Sequence, residues 1–284
     1  GMVPGLIAGR YGEDEIAIDV APLARAAGAH LRLARALSLD AQRRLVTLDD
    51  GQRIPYDVLS INTGATQHRE RIPGAAENAL FVRPIEGFVA LWQRTRELAE
   101  ERALAVVVIG NGAAGVEIAL AVRAALGARA SVSIVCEGDL LPGYRPRVRE
   151  RAAAALRRAD VPLLLGHCDA VERWHVRIGP MRVACDVPIL AIGTDAPGWL
   201  AGSGLALDAG GFMRVGATLQ SASHANVFAA GDVIVRDDAP HPKSGVYAVR
   251  AGAVLAANLR SHIAGGALAR FDPPPRSLNL MATS

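Results

Sequence analysis

The hydrophobic pattern is sharpest in the middle of the chain. Leu104 to Ile109 is an unbroken apolar run rich in Val, followed at once by Gly110, Asn111, Gly112, Ala113, Ala114 and Gly115, and then by an Ala-rich stretch to about Leu126. Such a run predicts a strand buried on both faces, as in a parallel sheet, feeding through a glycine turn into a helix. Ser131 to Cys136 predicts a second strand ending in Glu137, and Arg147 to Ala159 a further helix, so the stretch has the order and length of a βαβ unit. Upstream, Ile85, Phe88, Val89, Trp92 and Leu98 recur on one helical face and predict a core-facing helix from Ile85 to about Arg102.

The flanks are less regular. Towards the N-terminus the pattern predicts an extended piece at Ile16 to Val20, a helix over Pro22 to Ala27, and strands at His30 to Leu37, Arg44 to Leu48 and Val58 to Asn62, with Asp49, Asp50 and Gly51 as a hairpin signal. Towards the C-terminus it predicts strands at Val161 to Leu165 and Val187 to Ile192, a hairpin across Val171 to Ala184, a strand at Val227 to Ala230, and a long helix from about Gly245 to Ala264. A strand running into glycine occurs at Ser60 to Gly64 and again at Leu190 to Gly193, so the two halves echo each other.

Composition narrows the class. A length of 284 residues suits two ordinary domains. With 51% hydrophobic but only 4% aromatic residues, the core must be built of Ala, Val, Leu and Ile, which favours α/β. The net charge of +3 comes from arginines scattered among nearly as many acids, without the clustered footprint of a nucleic-acid binder. The densest basic stretch, Arg145 to Arg158, wraps an Ala/Leu stripe as the solvated face of a helix does. No apolar run reaches the roughly 18 residues that cross a bilayer, and no signal-like start is present, so a cytoplasmic protein is expected. Cys136, Cys168 and Cys185 are far apart and predict buried thiols; the histidines lack metal-ligand spacing, so no metal is expected; Trp92, Trp174 and Trp199 are expected to pack.

The chemistry sits at the strand ends. Gly110 permits the tight turn, Gly112 lets backbone approach a pyrophosphate, and Gly115 lets helix pack on strand, while the N-terminus of the helix that follows offers free N–H groups and a positive dipole end; Ala113 and Ala114 of the turn are candidate binding residues with them. Glu137 can accept hydrogen bonds from a ribose 2′-OH and would repel a 2′-phosphate, which favours NADH over NADPH; the alternative is a merely exposed acid. Asn226 to Asp232 places a carboxylate after Gly231 at the carboxyl end of a strand, where open α/β sheets bind ligands. Lys243 is the one lysine among 31 cationic side chains, so its point charge has either a specific use or a chance origin.

A dinucleotide glycine turn followed about a hundred residues later by VFAAGD resembles the layout of the pyridine nucleotide-disulfide oxidoreductase family. More narrowly, GMVPGLIAG, YDVLSINTG and HPKSGVYAVRAG resemble its type II NADH dehydrogenase branch, especially the flavoprotein often fused ahead of selenide, water dikinase. The resemblance implies two Rossmann-like, glutathione-reductase-like dinucleotide-binding domains: an NAD(P) domain over 103–198 inserted in an FAD domain formed by 1–102 and 199–284. It implies that Asp232 and Gly231 hold the FAD ribitol, that Ala36 meets the adenine, and that Thr63, Gly64 and Gly193 lie at strand-to-cofactor crossings. It further implies that the helix beginning at Gly245 and Val246 points at the flavin, with Lys243 beside it. Glu117 resembles a carboxylate near nicotinamide and flavin, although a helix N-terminal acid facing the dipole explains it nearly as well.

Departures shape the expected activity. No CxxxxC pair is present, which argues against disulfide reduction, and the three cysteines lie in the NAD half, away from where sulfide:quinone reductases need them. The positions of the branch's quinone-site glutamines carry Val246 and Arg250. The first glycine turn of the family is absent and the chain stops at Leu278 to Ser284, so truncation at both ends is expected. The expectation is an FAD-dependent oxidoreductase that passes a hydride from NAD(P)H to FAD and on to a small-molecule acceptor. The alternatives are a flavin-bearing sensor or accessory module of a fused or partner selenophosphate synthetase, or an apo scaffold. A homodimer is one candidate assembly, and the sequence does not fix the oligomeric state.

Overall fold

The computed structural model describes residues 2–83 and 85–274; the Leu278 to Ser284 stretch lies outside them. The chain divides into two compact units, one combining residues 2–19 and 67–193, the other residues 20–66 and 194–274. The unit that carries the glycine turn is thus larger than the 103–198 expected. The reason is visible in its packing: helix Ile85–Glu101 sends Phe88, Trp92 and Ala99 into the same apolar cluster as Leu104, Val106 and Val108, and Ile7 of helix Val3–Ile7 joins them.

This first unit is built on a parallel sheet in the order Leu80–Phe81, Val187–Leu190, Leu104–Ile109, Ala130–Cys136, Leu163–Leu165. Leu104–Ile109 occupies the centre, paired residue for residue with Ala130 to Val135 on one side and, from Val106 to Ile109, with Val187 to Leu190 on the other. Its side chains alternate as a pleat requires: Val106 and Val108 enter one cluster, with Val116, Ile118 and Val122 of helix Ala113–Leu126, whereas Val107 and Ile109 enter another, with Val171, Val176 and Ile178. Burial on both faces is why the sequence shows a continuous apolar run there. Each such fully buried side chain contributes roughly 1.5–3 kcal/mol. Asp186 pins the strand's entry, accepting from the Ala105 N–H at 2.7 Å and from Arg102 Nη2 at 2.8 Å.

The expected hairpin over 171–184 is a three-stranded antiparallel sheet, Cys168–Glu172, His175–Ile178 and Met181–Ala184. Helix Pro146–Arg158 buries Ala152, Ala155 and Leu156 and leaves Arg147, Arg151, Arg157 and Arg158 in solvent. All three cysteines are buried free thiols. Trp92 packs as expected, but Trp174 is half exposed at a hairpin, with the Arg173 guanidinium 5.3 Å from its ring.

The second unit holds a three-stranded antiparallel sheet, Ala36–Asp40, Leu45–Leu48 and Arg53–Pro55, and a parallel pair, Leu59–Ile61 with Val227–Ala229. Helix Gly245–Ile263 sends Ala251 and Leu255 into the cluster formed by Ile61, Val227, Phe228 and Ala229. Arg236 is fully buried, donating to both Asp238 carboxylate oxygens and to the Phe271 carbonyl. Three expectations are revised here. The strand predicted over His30 to Leu37 begins only at Ala36; the Asp49 to Gly51 turn joins Leu45–Leu48 to Arg53–Pro55, not to the strand at 59–61; and Ile16 closes a helical turn, Glu13–Ile16, in place of an extended piece.

Candidate nucleotide-binding site

The glycine turn sits where the central strand ends. Gly110 adopts φ +135, and a Cβ there would lie 2.4 Å from the Ala191 carbonyl oxygen, so both conformation and space require glycine. At Gly115 a Cβ would lie 1.9 Å from the Gly110 carbonyl oxygen, which is the close helix-to-strand approach that the motif provides. Gly112 precedes the first helical residue in extended conformation, and a Cβ there would meet nothing within 4 Å. Open space therefore lies over the turn at the N-terminus of a 14-residue helix, whose first N–H groups lack intrahelical acceptors.

That space is part of a cavity of about 330 Å³ lined by the Gly110 to Gly112 turn, Glu137, His167, Cys168, Ala191 to Gly193, Arg71 and Ile72. Asn111 fixes its rim: the side-chain amide donates to the carbonyls of Glu137 (2.7 Å) and Asp139 (2.8 Å), and the Asn111 backbone carbonyl accepts from the Leu141 N–H. Glu137, one residue past strand Ala130–Cys136, is largely exposed and pairs with His167 Nδ1 at 3.0 Å. Cys168 is a buried thiol in the cavity wall, and burial pushes its pKa up to about 11.

The structure thus brings Gly110, Asn111, Gly112, Glu137 and Gly193 to one cavity, with Ala113, Ala114 and Gly115 in the helix behind it. Glu117 lies elsewhere in this unit. It faces helix Val3–Ile7 and lines a small separate cavity with Pro4, Gly5, Ala8 and Arg10. His167, Arg71 and Cys168 escaped the sequence patterns. Gly166 is the available clue for His167, because its φ of +141 and its N–H bond to the Cys136 carbonyl turn the chain beside Glu137.

In the second unit, strand Val227–Ala229 ends in Ala230 and Gly231, which takes φ +80 and starts a short 3₁₀ turn through Asp232. Asp232, Lys243 and Ser244 line a narrow cavity of about 10 Å³ with Gly231, His241 and Tyr247. Lys243 Nζ donates to the carbonyls of Asp232 (3.0 Å) and Ile234 (2.8 Å) and stands 3.5 Å from the Phe212 ring centroid. Desolvation lowers its pKa, against the opposing pull of Asp232 and Asp208. Ser244 occupies the N-cap position of helix Gly245–Ile263 without a side-chain cap bond, and its buried hydroxyl has no partner among the described residues. Ala36 opens its strand, Gly64 takes φ +71, and Thr63, Gly245 and Val246 are exposed.

Residues 10–252 match the model of the pyridine nucleotide-disulphide oxidoreductase family. The chain belongs to this family. Demethylphylloquinone reductase NdbB of Synechocystis sp. is 25% identical over 230 residues, covering 77% of this chain and 57% of that protein. Alternative NAD(P)H-ubiquinone oxidoreductase C1 of Arabidopsis thaliana is 28% identical over 216 residues, covering 66% and 41%. The chain therefore spans about half the length of these relatives, which place it in the NADH dehydrogenase-like branch of the pyridine nucleotide-disulphide oxidoreductases. Among solved structures, Fdr9 superposes with a TM-score of 0.73 at 27% identity, covering 90% of this chain and 64% of that one. The ferredoxin reductase of the CYP199A2 system from Rhodopseudomonas palustris superposes with a TM-score of 0.79 at 21% identity, covering 95% and 68%, which supports the shared fold. Among the described residues no helix is long and apolar enough to cross a membrane, and no group of three or more His, Cys, Asp or Glu is arranged to hold a metal ion.

Proposed function

We propose that the chain is the dinucleotide-handling part of an FAD-dependent NAD(P)H:acceptor oxidoreductase, with NADH as the favoured donor. The observation that carries this is the glycine turn opening onto the 330 Å³ cavity, with a carboxylate, Glu137, at the end of the neighbouring strand. The backbone N–H groups at Ala113 and Ala114 would hold the pyrophosphate, the space over Gly112 admits it, and Glu137 would accept from the ribose. In the second unit, the left-handed Gly231 that presents Asp232 and the buried Ser244 hydroxyl, without a partner among the described residues at a helix N-terminus, support only the ribitol end of an FAD site. Bound FAD would supply the hydride acceptor, and the chain's own residues supply orientation and charge.

Lys243 acts here as a positioning residue. Its ammonium joins the Asp232 and Ile234 carbonyls and so fixes the loop that carries the ribitol carboxylate. Glu117 lines a separate cavity beside the N-terminal helix, and its role as an acid near the nicotinamide is proposed on resemblance alone. A finer proposal follows from resemblance: service to a fused or partner selenophosphate synthetase, supported by the stretches at 1–9, 56–64 and 241–252. Mixing the anaerobic full-length protein with NADH is expected to bleach the flavin absorption band; an unchanged band removes the enzyme reading.

A further inference from the structure

Strands Ala130–Cys136 and Leu163–Leu165 run parallel and adjacent, with Cys136 opposite Leu165, so the residues just beyond them emerge side by side at the same sheet edge. Gly166 makes the exit turn, where its φ of +141 and the 2.6 Å that would separate a Cβ from Ile178 Cγ2 exclude other residues. His167 is thereby held with Nδ1 3.0 Å from Glu137 Oε2, and both side chains line the cavity of the glycine turn. The charged groups around the imidazole are Glu137 itself, Asp169 on the following strand, and Arg71 across the cavity. Asp169 is engaged by the Gly179 N–H at 2.6 Å, and Asp139 beyond Glu137 is paired with Arg149, also at 2.6 Å.

We propose that His167 is a proton-controlled specificity residue that sets, through Glu137, how strongly the cavity prefers NADH over NADPH. The proposal rests on the reading that this cavity holds the coenzyme. With a neutral imidazole the pair carries one negative charge, which opposes the two negative charges of a 2′-phosphate and leaves a 2′-OH unaffected. With a protonated imidazole the pair is neutral, the ring offers a second N–H, and the carboxylate still accepts from a 2′-OH. The hydrogen bond to Glu137, and then the Glu137 charge, raise the His167 pKa from its ordinary 6.5. Removing one unit charge about 5 Å from a phosphate in a water-exposed setting changes its affinity roughly tenfold.

The test is calorimetric titration of the oxidised holoprotein with NAD⁺ and with NADP⁺ from about pH 5.5 to about pH 8.5, for the wild type, His167→Gln and Glu137→Gln. The wild-type preference for NAD⁺ is expected to grow roughly tenfold more than that of His167→Gln as pH rises. The 2′-phosphate's own titration is common to all three proteins and cancels in that comparison. Glu137→Gln should lose most of the preference at every pH. Identical pH dependence in the wild type and His167→Gln overturns the inference while leaving the coenzyme site intact. Failure of both dinucleotides to bind the wild type at any pH overturns the site itself.

Discussion

Under the proposed function, the two units would address a dinucleotide by different means. In the first, a five-stranded parallel sheet delivers a turn whose glycines are demanded by backbone contacts, and the cavity above it is about 330 Å³. In the second, the parallel pairings join strands of only two or three residues, the cavity beside Asp232 is about 10 Å³, and its shape depends on Lys243, whose ammonium spans two carbonyls. One cradle is written in backbone geometry and the other in side-chain scaffolding. They should therefore fail differently when disturbed.

The largest effect is expected at Gly110. Gly110→Ala must abandon φ +135 or push its methyl into the Ala191 carbonyl, at a cost of about 3 kcal/mol, read as a lower urea midpoint together with loss of NADH binding. Full binding and unchanged stability would dissolve the contrast between the units. Next, Lys243→Met deprives the Asp232 and Ile234 carbonyls of a charged donor, costing about 2 kcal/mol. Its distinctive readout is weaker flavin retention on gel filtration with NAD⁺ affinity unchanged; equal loss of both cofactors would contradict a local role.

The smallest effect concerns Asp186. Burial raises its pKa, but hydrogen bonds from Arg102 and the Ala105 N–H outweigh this and leave it below the ordinary 3.8. A carboxyl lowered in the folded state contributes stability that is complete above its unfolded pKa and is lost as pH falls through the folded value. Asp186→Asn should cost about 1 kcal/mol at neutral pH and flatten the acid limb of a stability-versus-pH curve. An acid limb identical to wild type would show that the Arg102 pair contributes nothing.

What was legible in the sequence follows the same division. Strands Leu104–Ile109 and Ala130–Cys136 lie within a residue of their predicted ends, because burial on both faces acts on neighbouring residues; the helix ends at Leu126 as predicted but begins at Ala113, inside the glycine turn and not after it. The antiparallel sheet of the second unit was harder to read. Arg53–Pro55 is exposed along its whole length and carries no apolar pattern, so its pairing with Leu45–Leu48 shows only in three dimensions. Leu31 and Leu33 gave the alternation of a strand, yet both are exposed and unpaired in any sheet of the described residues. His167 reaches Glu137 from thirty positions along the chain, and Arg71 enters the cavity from a segment assigned to the other domain. Neither placement leaves a periodic trace.

The most direct measurement is a crystal structure of the full-length protein grown with NAD⁺. The account predicts density for the dinucleotide in the cavity of the first unit, with its pyrophosphate over Gly112 at the N-terminus of helix Ala113–Leu126 and the adenosine ribose 2′-OH within hydrogen-bonding distance of the Glu137 carboxylate. A bound NAD⁺ that leaves Gly112 uncovered and Glu137 facing only His167 and solvent would contradict it.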